Sequence, residues 1–590
     1  MITSTYVDGV RLLTAPTTGQ ARGGITFRVG YSDEPFQYTG ATHLVEHLAL
    51  HHLGQTDYHF NGTTAPYMTH FFSQGTPDEV TTFITRVCQA LCDLPLDRLD
   101  LEKQVLRTEA DGRSPSMGEW MRTWRHGVSG QLSEWGLPGM TPAMVADWTR
   151  RHFTRENAVV WFAGPEAPPS WSLPLPSGVP LPMPVRREMV DAYPAYFSQG
   201  SRTIGWQAIV GRSMAASVYS DVLRRHMFRE LRQQHGYSYT VDTDYSPVDA
   251  QHASLMCLAD SGATTTDAAL GGFIDLMTQS RWGGLHADDV ASAIGAARRS
   301  LDDPDWEALT LPSGCFDLLT GAPTSTREEL LAEIELIDDA ALHAVAEEAA
   351  RSALLCVPVG LRADWAGYAL APTSIHGPVE GTEVAPVEPS TQRLVLSAQG
   401  ITVRTPPASR TVRFDDCAGM LAWPDGARRL VAMDATTIHI EPTLWRLDPG
   451  VRAWIDQSIP ADKVAWQPAR SPDAIPVPAV ETVAGASGAG ATPVPTSGTP
   501  GRGPGTTGTP VAPVRQPTVM MGVWIFLLVV SIVWLAWTIS GWVYDPNAGL
   551  GLTVLGVPIW MATIWVSLAY RKRLRAWKQS VPRKPTDRRR

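Results

Sequence analysis

The chain opens on two short segments rich in apolar residues, Gly9 to Ala15 and Gly24 to Gly30, that read as strands. Helical spacing follows, then a strand pair and longer helices, up to the run Ala158-Val159-Val160-Trp161-Phe162-Ala163, which Gly164 closes. A short apolar run of that kind predicts a buried strand. The Pro-rich stretch from Pro165 to Pro184 ends this first unit, residues 1–175. Residues 186–360 repeat the order of elements, from a strand at Ser201 to Ala208 to an apolar closing run at Ala353 to Val359, and predict an internal duplication.

The pattern then changes twice. Between 390 and 470, short alternating segments (Arg393 to Leu396, Ile401 to Arg404, Thr411 to Phe414, Arg429 to Met433 and Thr437 to Ile440) are separated by Gly, Pro and Asp turns and predict a small β-rich domain. Residues 471–517 are dominated by Pro, Gly, Ala, Thr and Val, bury too little apolar surface to offset chain entropy, and predict a disordered linker. Residues 519–541 and 550–570 are nearly uninterrupted apolar runs. Each is near the roughly 20 residues that cross a bilayer as a helix. The predicted class is α+β: two similar αβ domains, a small β-rich domain, a linker and a transmembrane helical hairpin.

Charge orients that hairpin. The net charge of -10 comes from 49 Lys and Arg against 59 Asp and Glu, yet the tail 571–590 is strongly basic. The connector around Tyr544-Asp545-Pro546-Asn547 carries no Lys or Arg. The positive-inside rule therefore puts the tail in the cytoplasm, and a hairpin returns the chain to its starting side. The expectation is an integral protein of the plasma membrane with its folded domains and both termini cytoplasmic. Met1 to Val10 agrees, having neither the basic start nor the apolar core of a signal peptide. A basic tail is not the basic face of a folded nucleic-acid binder, so nucleic acid is excluded as a partner. The 6 cysteines form no CxxC pair and fit a reducing compartment, with Cys88 and Cys92 read as small buried hydrophobes.

The candidate chemistry sits near residue 43. His43 and His47 are four apart and Glu46 is three after His43, so a helix puts all three on one face. Two imidazoles so placed can hold one Zn2+ with a carboxylate beside it. A catalytic zinc takes three protein ligands and leaves a position for water, whose pKa it lowers to about 7. The helical segment Leu101 to Glu109 offers Glu109 as the third ligand, with Glu102 further along the same face as a second catalytic carboxylate beside Glu46. In this arrangement Glu46 takes a proton from the water as it attacks a peptide carbonyl and passes it to the leaving amine. His51 and His52 also fall near His47 and read as a solvated or second-shell pair. The five-residue HxxEH pattern is weakly specific by itself.

Gly40-Ala41-Thr42-His43-Leu44-Val45-Glu46-His47-Leu48 resembles the signature of the pitrilysin/insulinase family, the inverted zinc peptidases. Further matches follow in the family's order. Phe60-Asn61-Gly62-Thr63-Thr64 resembles its Asn-Ala-x-Thr turn, leading to a substrate-binding edge strand at about Tyr67 to Phe72. Leu101 to Glu109 resembles the helix of supporting and metal-binding glutamates, and Gly136-Leu137-Pro138-Gly139 followed by Asn157 to Gly164 resembles the end of its first domain. Phe228 to Tyr239 resembles its Leu-Arg…Gly-x-x-Tyr segment. The likeness covers residues 1 to about 360. It departs in the interval from His47 to Glu109, 62 residues (109 − 47), which is shorter than usual for the family.

The resemblance implies a clamshell of two such halves, of which this chain is one. A homodimer, or a heterodimer with a related peptidase-like chain, would complete it and bring Arg232 and Tyr239 to the peptide in trans. Asn61 and Gly62 are implied to bind peptide as an added strand on the edge near Asn61 to Phe72. The 390–470 domain resembles a pleckstrin-homology-like module. The reading is a membrane-anchored zinc metalloendopeptidase acting on peptides at the cytoplasmic face. The rivals are a non-catalytic peptidase-like subunit that binds peptides or partner proteins, and an adaptor for a working membrane hairpin.

Overall fold

The computed structural model describes residues 2–51, 59–166, 168, 171–282, 284–406 and 408–478. The linker from 479 onward, both predicted spans, the basic tail and His52 lie outside the described residues. Among the described residues no helix is long and apolar enough to cross a membrane.

Strands Thr3–Val7 (β1), Val10–Pro16 (β2), Ala21–Phe27 (β3), His59–Thr64 (β4), Thr69–Gly75 (β5) and Ala158–Gly164 (β6) build a 6-stranded sheet in the order β1-β2-β6-β3-β5-β4. Every residue of β6 is buried, because it lies between β2 and β3 with both faces covered. That is why its sequence is a continuous apolar run rather than an alternation. One face carries helices Ala41–His51 (α1), Pro77–Cys92 (α2), Leu99–Gly112 (α3) and Pro142–His152 (α5), with Met117–His126 (α4) between α3 and α5 in the chain. Leu44, Val45 and Leu48 of α1 are wholly buried against this sheet. Each such side chain contributes about 1.5–3 kcal/mol.

Residues Ala195–Gln199 (β7), Ile204–Gly211 (β8), Val241–Pro247 (β9), His252–Ala259 (β10), Leu354–Pro358 (β11) and Ala369–Leu370 (β12) form a second 6-stranded sheet, ordered β12-β7-β11-β8-β10-β9. Its helices are Met214–Met227 (α6), Thr266–Trp282 (α7), Ala287–Leu301 (α8), Trp306–Thr320 (α9), Arg327–Glu335 (α10) and Asp339–Arg351 (α11). The pairing β7-β11 is parallel and β11-β8, β8-β10 and β10-β9 are antiparallel. The same sequence of directions runs through β2-β6-β3-β5-β4 in the first sheet. The two sheets also exchange helices. Leu311 and Cys315 of α9 pack on Leu13 and Trp161 of the first sheet, and Met121 of α4 packs on Phe197 and Leu354 of the second.

The remaining strands, Thr382–Val384 (β13), Arg393–Ser397 (β14), Gly400–Thr405 (β15), Ala408–Arg413 (β16), Cys417–Ala422 (β17), Arg428–Ala432 (β18), Thr437–Ile440 (β19) and Val464–Trp466 (β20), form two 4-stranded sheets. A helix, Val451–Ser458 (α12), closes their shared core through Ile455. The alternating segments expected at 393–440 are strands, but α12 was not expected. Its eight residues, between Gly450 and Pro460, carry too few periodic positions to announce a helix.

One expectation is corrected by this topology. The outer strand at this end of the first sheet is β4, with β1 at the other end, whereas Tyr67 to Phe72 leads into β5, which is paired on both sides by β3 and β4. Asn61 and Gly62 accordingly lie within a strand rather than a turn.

Candidate metal centre

Helix α1 starts where Glu34 folds back over it. The Glu34 carboxylate accepts hydrogen bonds from the Gly40 N–H at 2.8 Å and the Thr42 N–H at 2.7 Å. Two of the helix's otherwise unpaired N-terminal donors are thus satisfied by one side chain, and burial pushes its carboxyl up to about 8 against these hydrogen bonds. With its apolar side in the core, α1 turns His43 and His47 toward α3. Their rings sit edge to face, 4.9 Å apart between centroids.

Glu109 comes from the last turn of α3 and reaches both imidazoles. Its Oε1 lies 3.9 Å from His43 Nε2 and its Oε2 3.5 Å from His47 Nε2. The donor atoms of His43, His47 and Glu109 all lie within 4.8 Å of one another. Donors on a tetrahedral zinc at roughly 2.0–2.1 Å stand about 3.3–3.5 Å apart, so a modest inward movement closes the set. Glu109 can supply it, its side chain being 48% exposed. Two nitrogens and one carboxylate also match the donor chemistry of a catalytic zinc site.

The outer nitrogens face carboxylates. His43 Nδ1 is 2.8 Å from Glu134 Oε1, and His47 Nδ1 is 3.6 Å from Glu102 Oε2. Such partners fix the tautomer so that Nε2 is the free, metal-facing nitrogen. Glu102, expected among the catalytic groups, thus stands behind His47 as a supporting residue. Glu134 was not foreseen. It lies on a non-periodic loop two residues before Gly136, and its partner His43 is 91 positions away in sequence. The nearby Gly136-Leu137-Pro138-Gly139 motif marked the segment without marking the carboxylate.

Glu46 is buried on the inner side of α1, 6% exposed. Its Oε2 accepts the Thr64 hydroxyl hydrogen at 2.6 Å, from the edge strand β4. Gly62 on the same strand lies directly under it. A Cβ built at position 62 would be 2.7 Å from Glu46 Oε1. Burial raises the Glu46 carboxyl above the ordinary range, against the opposing Thr64 hydrogen bond and the charge of His43. Burial alone would lower His43, but the hydrogen bond that its Nδ1–H donates to Glu134 and the charges of Glu46, Glu134 and Glu109 outweigh it and hold His43 high. His47 is lowered by burial and by His43. Glu46, Glu102, Glu109 and Glu134 thus stand around the two imidazoles, with Arg98 3.4 Å from Glu102.

Arg232 and Tyr239 are brought together, but elsewhere. The guanidinium lies 4.7 Å over the Tyr239 ring and 4.9 Å over that of Phe228, and Tyr239 is exposed. No contact among the described residues joins them to His43, His47 or Glu109. His51 closes α1 on its exposed side. Of the two cysteines read as buried, Cys88 is buried and Cys92 is not: it lies at the exposed end of α2, where its thiol donates to the Pro174 carbonyl.

No protein-family model and no curated protein matches the chain. Solved structures do match its fold. A protease from Helicobacter pylori aligns with 13% identity over 61% of this chain and 99% of that one, with a TM-score of 0.53. The first half of the periplasmic protease PqqL from Escherichia coli aligns with 11% identity over 63% and 94%, with a TM-score of 0.50. A chain of complex III2 from Candida albicans aligns with 12% identity over 60% and 95%, also with a TM-score of 0.50. At these identities the likeness concerns the fold alone, which is shared by the two proteases and by the complex III2 chain, so the chemistry of this chain rests on its own residues.

Proposed function

We propose that the chain is a zinc metalloendopeptidase. The observation that carries this reading is the convergence of His43 Nε2, His47 Nε2 and the Glu109 carboxylate, with Glu46 buried on the same helix face. Zinc bound there would acidify a water and polarise a peptide carbonyl. Glu46, kept close to the three donors by Gly62 and oriented by Thr64, receives the proton and returns it to the leaving amine. Glu102 and Glu134 hold the two imidazoles in the tautomer that leaves Nε2 free.

An extended peptide is proposed to lie along the edge strand β4, where its main chain would pass beside Glu46. Such addition favours flexible segments over folded substrates. Arg232 and Tyr239 are proposed to contact the peptide from a second peptidase-like half, in a homodimer or a complex with a related chain. The apolar runs 519–541 and 550–570 are proposed as a membrane hairpin that keeps the catalytic domains at the cytoplasmic face of the plasma membrane.

Metal analysis of the purified full chain, coupled to cleavage of an unstructured peptide library, tests the reading. We expect one zinc per chain, and cleavage lost in Glu46→Gln while zinc is retained. Stoichiometric zinc with no Glu46-dependent cleavage would instead assign the chain as a non-catalytic subunit that binds peptides or partner proteins.

A further inference from the structure

The β-rich domain, whose role the sequence leaves open, packs on the two segments that hold the metal helix. Phe36 is buried against Leu421, Val431 and Ala465, and its ring lies 5.4 Å from that of Trp135. Gly419 of β17 approaches Phe36 so closely that any Cβ there would overlap the ring. Gln37 Nε2 donates to the Ala461 carbonyl at 2.6 Å and the Val464 carbonyl at 2.9 Å. From the end of β20, Gln467 Nε2 donates to the Trp135 carbonyl at 2.8 Å.

Both gripped segments lead straight to the site. Glu34, two residues before Phe36, caps α1, and Glu134, adjacent to Trp135, hydrogen-bonds His43. The Gly136 N–H donates to Thr39 Oγ1 at 2.8 Å and ties one segment to the other. Glu134 sits on a loop with no helix or strand of its own to fix it. A carboxylate so carried orients an imidazole only if something else holds its backbone.

We propose that the β-rich domain is a buttress of the metal centre: by gripping Phe36, Gln37 and Trp135 it sets Glu134 against His43 and thereby sets the site's affinity for zinc. Gln467 and Gly419 are its positioning residues. This inference rests on the zinc reading above. It gives the domain a role in the reaction without any contact to substrate.

The test is the zinc dissociation constant of the full chain in detergent, read by competition with a chromogenic chelator. The proteins are wild type, Gln467→Ala, Gly419→Val, Glu134→Gln, and Gly419→Val carrying Phe36→Ala, all checked for a native circular dichroism spectrum. We expect zinc to bind about tenfold or more weakly in each single variant, the scale usual for loss of a partner behind a metal ligand. The Phe36→Ala change removes the gripped ring itself, so the double variant should bind zinc no more tightly than Gly419→Val, and a return to wild-type affinity would overturn the grip through Phe36. If Gly419→Val does not fold, Gln467→Ala carries the test. Affinities within twofold of wild type in Gln467→Ala and Gly419→Val would overturn the buttress while leaving the zinc site standing. A normal affinity in Glu134→Gln would overturn the route through that residue. A wild type that binds no zinc would overturn the underlying reading itself.

Discussion

Gly62 and Glu46 are in contact across the strand-helix interface, with space at position 62 for a hydrogen and nothing larger: a Cβ would meet Glu46 Oε1 at 2.7 Å and Cγ at 2.8 Å. The glycine is needed for close approach rather than for a special backbone angle. Gly62→Val should displace Glu46 and lower kcat/KM for peptide cleavage by about a hundredfold or more, the scale of a misplaced general base. Zinc content should not change. Steady-state kinetics with metal analysis on the same preparation checks both.

Thr64 acts on the same carboxylate. Its hydroxyl donates to Glu46 Oε2 and favours the charged form, against burial that favours the neutral one. Thr64→Val removes the donor, so the Glu46 pKa rises. A base must be deprotonated to act, so the acidic limb of the kcat/KM profile should move to higher pH, whereas Thr64→Ser should leave it in place. A shift in the opposite direction would contradict this assignment.

His126, at the end of α4, is 7% exposed. Burial and the positive charge of Arg125, with Arg186 and Arg122 adding, push it down to about 4, while the hydrogen bond to the Arg187 carbonyl opposes them. The folded state therefore binds fewer protons than the unfolded one between about 4 and 6.5. Stability from this group is complete above pH 6.5 and is lost as the pH falls toward 4, by about 3 kcal/mol at most. Denaturant unfolding across that window should show a smaller loss in His126→Gln than in wild type.

Much of this was legible in the sequence, and the failures share a cause. The HxxEH helix, the Glu109 helix and the buried strand β6 are local patterns, and each is found at its expected place. Edge position is not local. Whether β4 or β5 is the outer strand depends on β3 pairing with β5, more than 40 residues away in the chain. Glu134 escaped for the same reason, since nothing in its own neighbourhood announces a partner 91 positions earlier. The exchange of α4 and α9 between sheets was equally invisible, because a helix's apolar face does not name the sheet it covers.

That exchange has a measurable consequence. Leu311 of α9 is fully buried, although α9 follows the second sheet's strands β7 to β10 in the chain and packs on the first sheet. Leu311→Ala should cost about 2–5 kcal/mol, the usual range for a buried leucine. Hydrogen exchange should show the loss of protection in β2 and β6 as well as in α9. A loss confined to α9 would contradict the packing.

Diffraction from crystals of the zinc-loaded protein, with data on both sides of the zinc absorption edge, shows whether His43, His47 and Glu109 close on one ion. One strong anomalous peak is expected within about 2.0–2.2 Å of both Nε2 atoms and a Glu109 oxygen. A site without a peak, or a peak whose ligands exclude Glu109, would contradict that closure.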